Sequence, residues 1–273
     1  MNSAFAHGTE EHLTAATVSW TWDPSMIFFV ILAVVYLAAL MGKQRMLLRS
    51  SRKSAFFIGT FILLFAYLPP VDTLADRFFS AHMVQHLLIT VVGVPLIIFG
   101  KPLLVLTHAS RKMRPAIKKF SSFLPHVQKP ILCVLLYQAV FWFWHVPYFY
   151  DLALLNQGYH LLEHACMAAA AFLFWPLIID SFPASPLKRP MRMVVLFFMM
   201  TLDTALSAAL TFSERNWYAY DSLSVADQQL GGVIMWAVGG TVWLIALLLN
   251  CVVWMKEENF SSANFPLSSE SAS

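Results

Sequence analysis

Two pairs of histidines, each separated by four positions, are the residues of this sequence best suited to chemistry. His82 and His86 lie in SAHMVQHLLIT, and His160 and His164 lie in HLLEHACM. Residues i and i+4 share one face of an α-helix, so both imidazoles of a pair can reach the same metal ion. We therefore predict a metal site built from these four histidines, with His145 of FWFWHVPY as a fifth candidate ligand.

The residue types narrow the identity of the metal only in part. Imidazole suits copper, zinc and iron, whereas thioether sulfur favours Cu(I). Met83 adjoins the first histidine pair and Met167 continues the helix face of the second pair, which makes both candidate soft ligands. Methionine in a membrane bundle is more often apolar filler. The residues alone leave copper, zinc and iron open as the bound metal.

Three kinds of protein are compatible with these residues. A copper-binding protein needs only a cluster of neutral imidazoles and no substrate pocket. A metal hydrolase is the second reading, because HLLEH fits the H-x-x-E-H pattern in which a glutamate, here Glu163, activates zinc-bound water. A haem protein with one axial histidine from each of two helices is the third. The residues alone leave these alternatives open.

Apolar segments of membrane-spanning length must position the histidines. The chain is 59% hydrophobic and 12% charged, with a mean hydropathy of +0.65. Because about 20 apolar residues span a bilayer core of roughly 30 Å, this composition predicts an all-α, polytopic membrane helix bundle. Residues 1–23 are expected to be an extracytoplasmic segment and residues 256–273 a disordered cytoplasmic tail, on either side of a transmembrane domain at 24–255. The seven predicted transmembrane helices are 24–42, 54–70, 78–99, 128–147, 158–181, 191–212 and 227–255.

The distribution of Lys and Arg predicts the orientation of these helices. Sixteen of the 18 basic residues fall in alternate connections and the C-terminal tail, whereas only Arg77 and Arg215 lie on the opposite side. By the positive-inside rule, the N-terminus is outside and the C-terminus is cytoplasmic. The net charge of +3 then reflects topology, and no nucleic-acid partner is predicted. The basic segment RPAIKKFSSFL is expected to form a helix on the inner membrane surface.

Polar residues within the spans cluster toward the outer half of the predicted bundle. An ionisable group that faces lipid is costly, so such residues are expected to face the interior and to mark a site. Metal-bound imidazoles are usually oriented by a partner on the second ring nitrogen. We predict that Glu163, Asp203 or Asp227 has this supporting role, together with Gln228.

Four motifs in order resemble the seven-helix CtaG family of cytochrome c oxidase assembly factors. They are HMVQHLLI followed by GKPLL, FWHVPYFYD, HLLEHACM followed by FWPLI, and DQQLGGVIMW. The resemblance implies a multi-pass protein of the bacterial plasma membrane that assembles haem-copper oxidase and delivers copper to it from the extracytoplasmic side. Its implied partners are oxidase subunits and the lipid bilayer. The family's motif histidines correspond to His82, His86, His145, His160 and His164, and its acidic motif residues to Glu163 and Asp227.

Glycines of the seventh predicted helix bear on the oligomeric state. Gly231, Gly232, Gly239 and Gly240 allow another helix to approach its backbone closely. A homodimer through this helix is therefore compatible with the sequence.

Overall fold

The computed structural model describes residues 24–41, 48–109, 114–127, 129–181, 184–220 and 224–264. Across these ranges all regular secondary structure is helical, which confirms the all-α prediction. The predicted extracytoplasmic segment 1–23 and the last residues of the predicted tail, 265–273, lie outside the described part of the chain. The α-helices are α1 (Pro24–Met41), α2 (Ser50–Ala66), α3 (Pro69–Ala75), α4 (Phe79–Leu87), α5 (Val94–Phe99), α6 (Pro102–Ala109), α7 (Arg114–Val127), α8 (Pro130–Trp144), α9 (Pro147–Leu155), α10 (Gln157–Ile178), α11 (Arg189–Thr211), α12 (Val225–Ile234) and α13 (Gly240–Asn264).

Several of these helices are long and apolar enough to cross a membrane. Within the described residues there are four such helical stretches, and the number rises to six if each of two bent helix pairs counts as one span. α1 is a shorter apolar helix over the predicted first span. The chain is therefore a membrane protein with four to six candidate spans, and the seven-span topology stays a prediction. The four continuous stretches are Phe79–Thr107, Gln157–Ile178, Arg189–Thr211 and Val225–Phe260.

Proline causes the bends in the two helix pairs. α2 and α3 meet at 55°, and α8 and α9 meet at 71°. The second helix of each pair begins with Pro69 or Pro147, whose ring removes a backbone donor and forces the preceding residue into an extended conformation. The bend after α8 leaves His145 at the end of that helix, where its ring turns into the bundle and is buried.

Two short π-helical segments interrupt the helices that line the site. Leu88–Gly93 joins α4 to α5, and Met235–Gly239 joins α12 to α13. Single π-helical turns inside longer helices occur frequently at functional sites. The first segment packs closely on α2, because a Cβ added to Gly59 would lie 2.8 Å from the carbonyl oxygen of Gly93.

Glycines of the last span form contacts within the chain. A Cβ on Gly231 would lie 2.3 Å from the Phe79 ring, and one on Gly232 would lie 2.6 Å from Thr211 Oγ1. These two glycines therefore allow α12 to pack against α4 and α11. Gly240, by contrast, borders open space. The homodimer stays a prediction, and Gly231 and Gly232 do not provide its surface.

A network of ion pairs joins α10, α11 and α13 at the end of the bundle far from the histidines. Asp180 accepts from Arg189 at 2.6 Å and from Arg192 at 3.0 Å, while Arg189 also pairs with Glu257 at 3.3 Å. Burial opposes ionisation of Asp180, but the two guanidinium groups outweigh it and lower the pKa of this carboxyl group.

The C-terminal boundary of the last helix corrects one prediction. α13 continues to Asn264, so residues 256–264 are not the disordered segment that the sequence suggested. Glutamate and lysine favour helices, and Glu257 is held by Arg189, which stabilises the extension. The predicted helix in RPAIKKFSSFL is confirmed as part of α7, and its location on the membrane surface stays a prediction.

Candidate metal centre

The first histidine pair lies on α4, whose N-terminus is fixed by a carboxylate from a distant part of the chain. Asp227 accepts hydrogen bonds from Phe79 N at 2.8 Å and from Ser80 Oγ at 2.5 Å. An anion at a helix N-terminus satisfies free backbone donors and favours the helix dipole. Asp227 thus determines where α4 begins, and His82 and His86 follow within its next two turns.

Four side chains from α4 and α10 converge into one compact group. His82, His86, Glu163 and His164 each offer a ligand atom, and these atoms all lie within 4.8 Å of one another. All four residues are buried, with Glu163 0% exposed. The two histidine pairs therefore face each other, with His82 near His160 and His86 near His164. We call His82, His86, Glu163 and His164 the quartet.

The hydrogen bonds of Tyr220 determine the tautomer of His82. The Tyr220 hydroxyl donates to the Ala75 carbonyl oxygen at 3.2 Å, and it lies 3.2 Å from His82 Nδ1 and 2.7 Å from Tyr150 Oη. A hydroxyl has one proton to donate, so Tyr220 must accept from both of its other partners. His82 therefore carries its proton on Nδ1, and its Nε2 lone pair points into the quartet.

The Nε2 atoms of the two histidines of α4 lie slightly closer together than two nitrogens that bind the same metal ion. Their Nε2 atoms are 2.8 Å apart, so His86 donates from Nε2 to His82 in this arrangement. Two nitrogens on a tetrahedral ion with bonds of about 2.0–2.1 Å would lie about 3.3 Å apart. A small separation of the rings and a shift of the His86 proton to Nδ1 would allow both lone pairs to bind one ion.

Glu163 lies at the centre of the quartet, whereas the sequence assigned it a supporting role. Its two carboxylate oxygens are 3.6 Å from His82 Nε2 and from His86 Nε2. Neither oxygen has a hydrogen-bond partner among the described residues, and the same holds for His164 Nε2. A buried carboxylate without partners is costly unless it coordinates a cation. Three imidazoles and one carboxylate therefore fit a first-row transition metal.

The remaining predicted histidines lie on opposite sides of the quartet. His160 is partly exposed, with its ring centroid 4.3 Å from that of His164 and 5.2 Å from that of His82. Its helix is capped by Asn156, whose side chain accepts from Gly158 N at 2.9 Å. His145 lies deeper against His86, with 6.2 Å between the ring centroids.

The other predicted supporting residues have partners different from those expected. Asp203 accepts from Gln138 Nε2 at 3.1 Å and from Trp243 Nε1 at 2.8 Å. Gln228 accepts from Trp217 N at 2.7 Å. With Asp227 bound to α4, these side chains hold helices and a connecting segment together. The partner on the second ring nitrogen of His82 is Tyr220. The prediction of a carboxylate partner on an imidazole is wrong for Asp203 and Asp227.

An aromatic layer that the sequence did not predict covers the quartet. The tilted rings of Tyr150 and Tyr218 lie 4.1 Å apart between centroids, and Tyr218 stacks on Phe79 at 4.9 Å. Tyr218 and Tyr220 lie in the segment between α11 and α12. No spacing rule connects that segment to α4, because it is about 140 residues away along the chain. The FYD sequence around Tyr150 was noted only as part of a motif.

Comparison with known proteins agrees with the motifs quoted above. Residues 31–257 match the family model described as cytochrome c oxidase caa3 assembly factor. No curated protein and no solved structure matches the chain. Because the family match covers most of the sequence, the chain belongs to the caa3 cytochrome c oxidase assembly factor family, Caa3_CtaG.

Proposed function

We propose that this member of an oxidase assembly family is a metallochaperone that binds copper at the quartet and transfers it to haem-copper oxidase. The observation that supports the proposal is the convergence of His82, His86, Glu163 and His164, with unpaired buried lone pairs. Imidazole suits copper as well as zinc and iron, and three of the four ligand atoms of the quartet are imidazole nitrogens. The ion is cargo in this proposal, so the quartet must release it as well as bind it.

The proposed topology has seven spans, with the N-terminus outside and the C-terminus in the cytoplasm of a bacterium. The excess of Lys and Arg in alternate connections supports it. In that orientation the quartet lies toward the outer face of the plasma membrane, and the Asp180 network lies toward the cytoplasm. Among the histidines of the described residues, partly exposed His160 is then the first that an ion from outside would meet. We assign His160 to entry and the quartet to storage.

The geometry disfavours the two alternatives from the sequence. A hydrolase needs space for a substrate beside its metal, but the cavity that borders His86 has a volume of only about 40 Å³, enough for a few water molecules. A haem needs a porphyrin-wide gap between its axial ligands, whereas the ligand atoms of the quartet lie within 4.8 Å of one another. A single ion fits this spacing better than either.

Replacing histidines of the quartet in cells tests the proposal. His82→Ala with His164→Ala should leave the protein in the membrane, because insertion depends on its apolar spans. The oxidase should then be present but copper-poor, as measured by elemental analysis of the purified enzyme. His126→Ala, on α7, is the matched control. Normal copper in the oxidase of the double variant would contradict delivery from the quartet.

Glu163→Gln separates a metal carrier from a hydrolase. Loss of a general base should reduce a hydrolytic activity by about a hundredfold or more. A carrier that keeps its three imidazoles should retain much of its delivery to the oxidase. Oxidase copper content in cells that carry Glu163→Gln distinguishes the two. Complete loss of oxidase maturation, with copper still bound to the variant, would favour catalysis.

A further inference from the structure

A small cavity lies directly beside the quartet, but most of its lining is different. Its lining comes from α4, α8, α10, α11 and the two π-helical segments, and its volume is about 40 Å³. The imidazole of His86 belongs to the quartet and also forms part of the cavity wall, so it borders both. A cavity of this size holds a few water molecules or one ion with its ligands drawn inward.

His145 lines this cavity and has one ring nitrogen without a partner among the described residues. Its Nδ1 lies 2.7 Å from the Phe141 carbonyl oxygen, which can only accept, so the ring proton is on Nδ1. Its Nε2 therefore carries a lone pair, and no hydrogen-bond partner for it is found among the described residues. The residue is 3% exposed. A buried, fixed lone pair of this kind is costly unless something binds to it.

Three methionines line the same small space. Met83 comes from α4, Met167 from α10 and Met235 from the π-helical segment, and all three are buried. Methionine often fills gaps in a core, but here three flexible side chains from three helices border a gap that they leave open. Thioether sulfur with imidazole nitrogen is the donor set that selects Cu(I) over harder cations.

We propose that this cavity is a second copper position, selective for Cu(I), with His145 Nε2 and the thioethers of Met83, Met167 and Met235 as its ligands. The inference rests on the proposed copper cargo and specifies its chemistry. The sequence suggested one cluster of histidines, whereas the structure divides it into a nitrogen–oxygen quartet and a sulfur-rich neighbour. Cu(I) passes between them beside His86 by ligand exchange, with no change of oxidation state.

Sulfur ligation of Cu(I) in the purified full-length protein tests this inference. The protein in detergent is loaded with Cu(I) under reducing conditions, its copper content is counted, and its ligands are identified by X-ray absorption. Wild-type protein should show copper–sulfur scattering. Replacement of Met83, Met167 and Met235 by Leu, which conserves volume, should abolish that scattering and weaken one class of bound Cu(I) on the order of tenfold or more. The matched control replaces Met26, Met191 and Met255, which lie outside the cavity.

Further outcomes separate this inference from the copper proposal itself. His82→Ala with His164→Ala should remove the nitrogen–oxygen site and leave the sulfur signal. Wild-type Cu(I) bound by nitrogen and oxygen alone, or a sulfur signal that survives the triple methionine replacement, would overturn the second position and leave the quartet intact. If the wild-type protein binds no copper at all, both the second copper position and the proposed function are wrong.

Discussion

The two ends of the bundle both bury charged or polar side chains, but they treat them differently. In the Asp180 network, Arg192 donates to Asp180 Oδ1 at 3.0 Å and to the carbonyl oxygens of Ile178 and Leu187. In the quartet, Glu163 and His164 have buried ligand atoms without hydrogen-bond partners among the residues described. Paired groups stabilise a fold, whereas unpaired buried groups cost free energy. The contrast indicates that the Asp180 network is structural and that the quartet is kept for a ligand.

The largest expected effect comes from removing ligands of the quartet. His82→Ala with His164→Ala should weaken copper binding by more than about a hundredfold, which exceeds the usual effect of losing a supporting partner. The thermal stability of the metal-free protein should change little, because removal of the unpaired His164 Nε2 offsets the loss of the hydrogen bonds of His82 to Tyr220 and His86. Metal affinity by chelator competition and unfolding in detergent measure the two quantities. A large loss of stability with unchanged metal affinity would indicate that the quartet, like the Asp180 network, is structural.

Removal of one hydroxyl tests how the quartet is supported. Tyr220→Phe deletes the acceptor for His82 Nδ1, so the ring loses the partner that fixes its tautomer. Metal affinity should fall by about 10- to 100-fold, the usual range for a group that orients a ligand, with the fold retained. Tyr148→Phe is the matched control, because Tyr148 is 71% exposed. Equal affinities in the two variants would show that Tyr220 does not orient His82.

Replacement of Arg192 tests the structural end of the comparison. Arg192→Met keeps much of the side-chain volume but leaves the carbonyl oxygens of Ile178 and Leu187 without their donor. The buried Ile178 oxygen left unpaired costs about 1–3 kcal/mol, so the free energy of unfolding should fall by at least this amount. Copper affinity should stay at the wild-type value. Arg215→Met, outside this network, is the control in the same unfolding assay. Weakened copper binding in Arg192→Met would contradict a purely structural role for the Asp180 network.

Acidification should have the smallest effect on the free energy of unfolding, and this effect should come from the Asp180 network. The pKa of Asp180 is lowered in the folded protein, so its ion pairs contribute stability above the unfolded pKa of about 3.9. That contribution is lost as the pH falls through the lower, folded pKa. Asp180→Asn should therefore make stability less dependent on pH in this acidic window. A variant with the same acid dependence as wild type would argue against this assignment.

Local geometry explains which parts of the site the sequence could predict. His82 and His86 share a helix face at fixed spacing, as do His160 and His164, so the convergence of two pairs follows from helix periodicity and depth. Met235 and Tyr220 could not be assigned in this way, since tertiary packing alone brings them to α4. The sequence predicts Asp227 beside an imidazole because it is an acidic residue in the outer half of a predicted span. The free backbone donors at the start of α4 are its partners instead.

The fold, like the site, could be predicted where it depends on local sequence and not where it depends on contacts between distant residues. Apolar length predicted where the helices lie, and Pro69 and Pro147 explain the bends that follow from a missing donor. The continuation of α13 past residue 255 depends on Arg189 meeting Glu257, a pair separated by 68 positions. Apolar patterning carries no information about such a pair, so the tail was predicted to begin too early.

Elemental analysis of the protein purified from its own membrane, without added metal, tests the central claim most directly. The account predicts that copper is retained by the wild-type protein and by the His126→Ala control, and that it is lost from the variant with His82→Ala and His164→Ala. Copper-free wild-type protein, zinc in place of copper, or equal copper in all three proteins would contradict it.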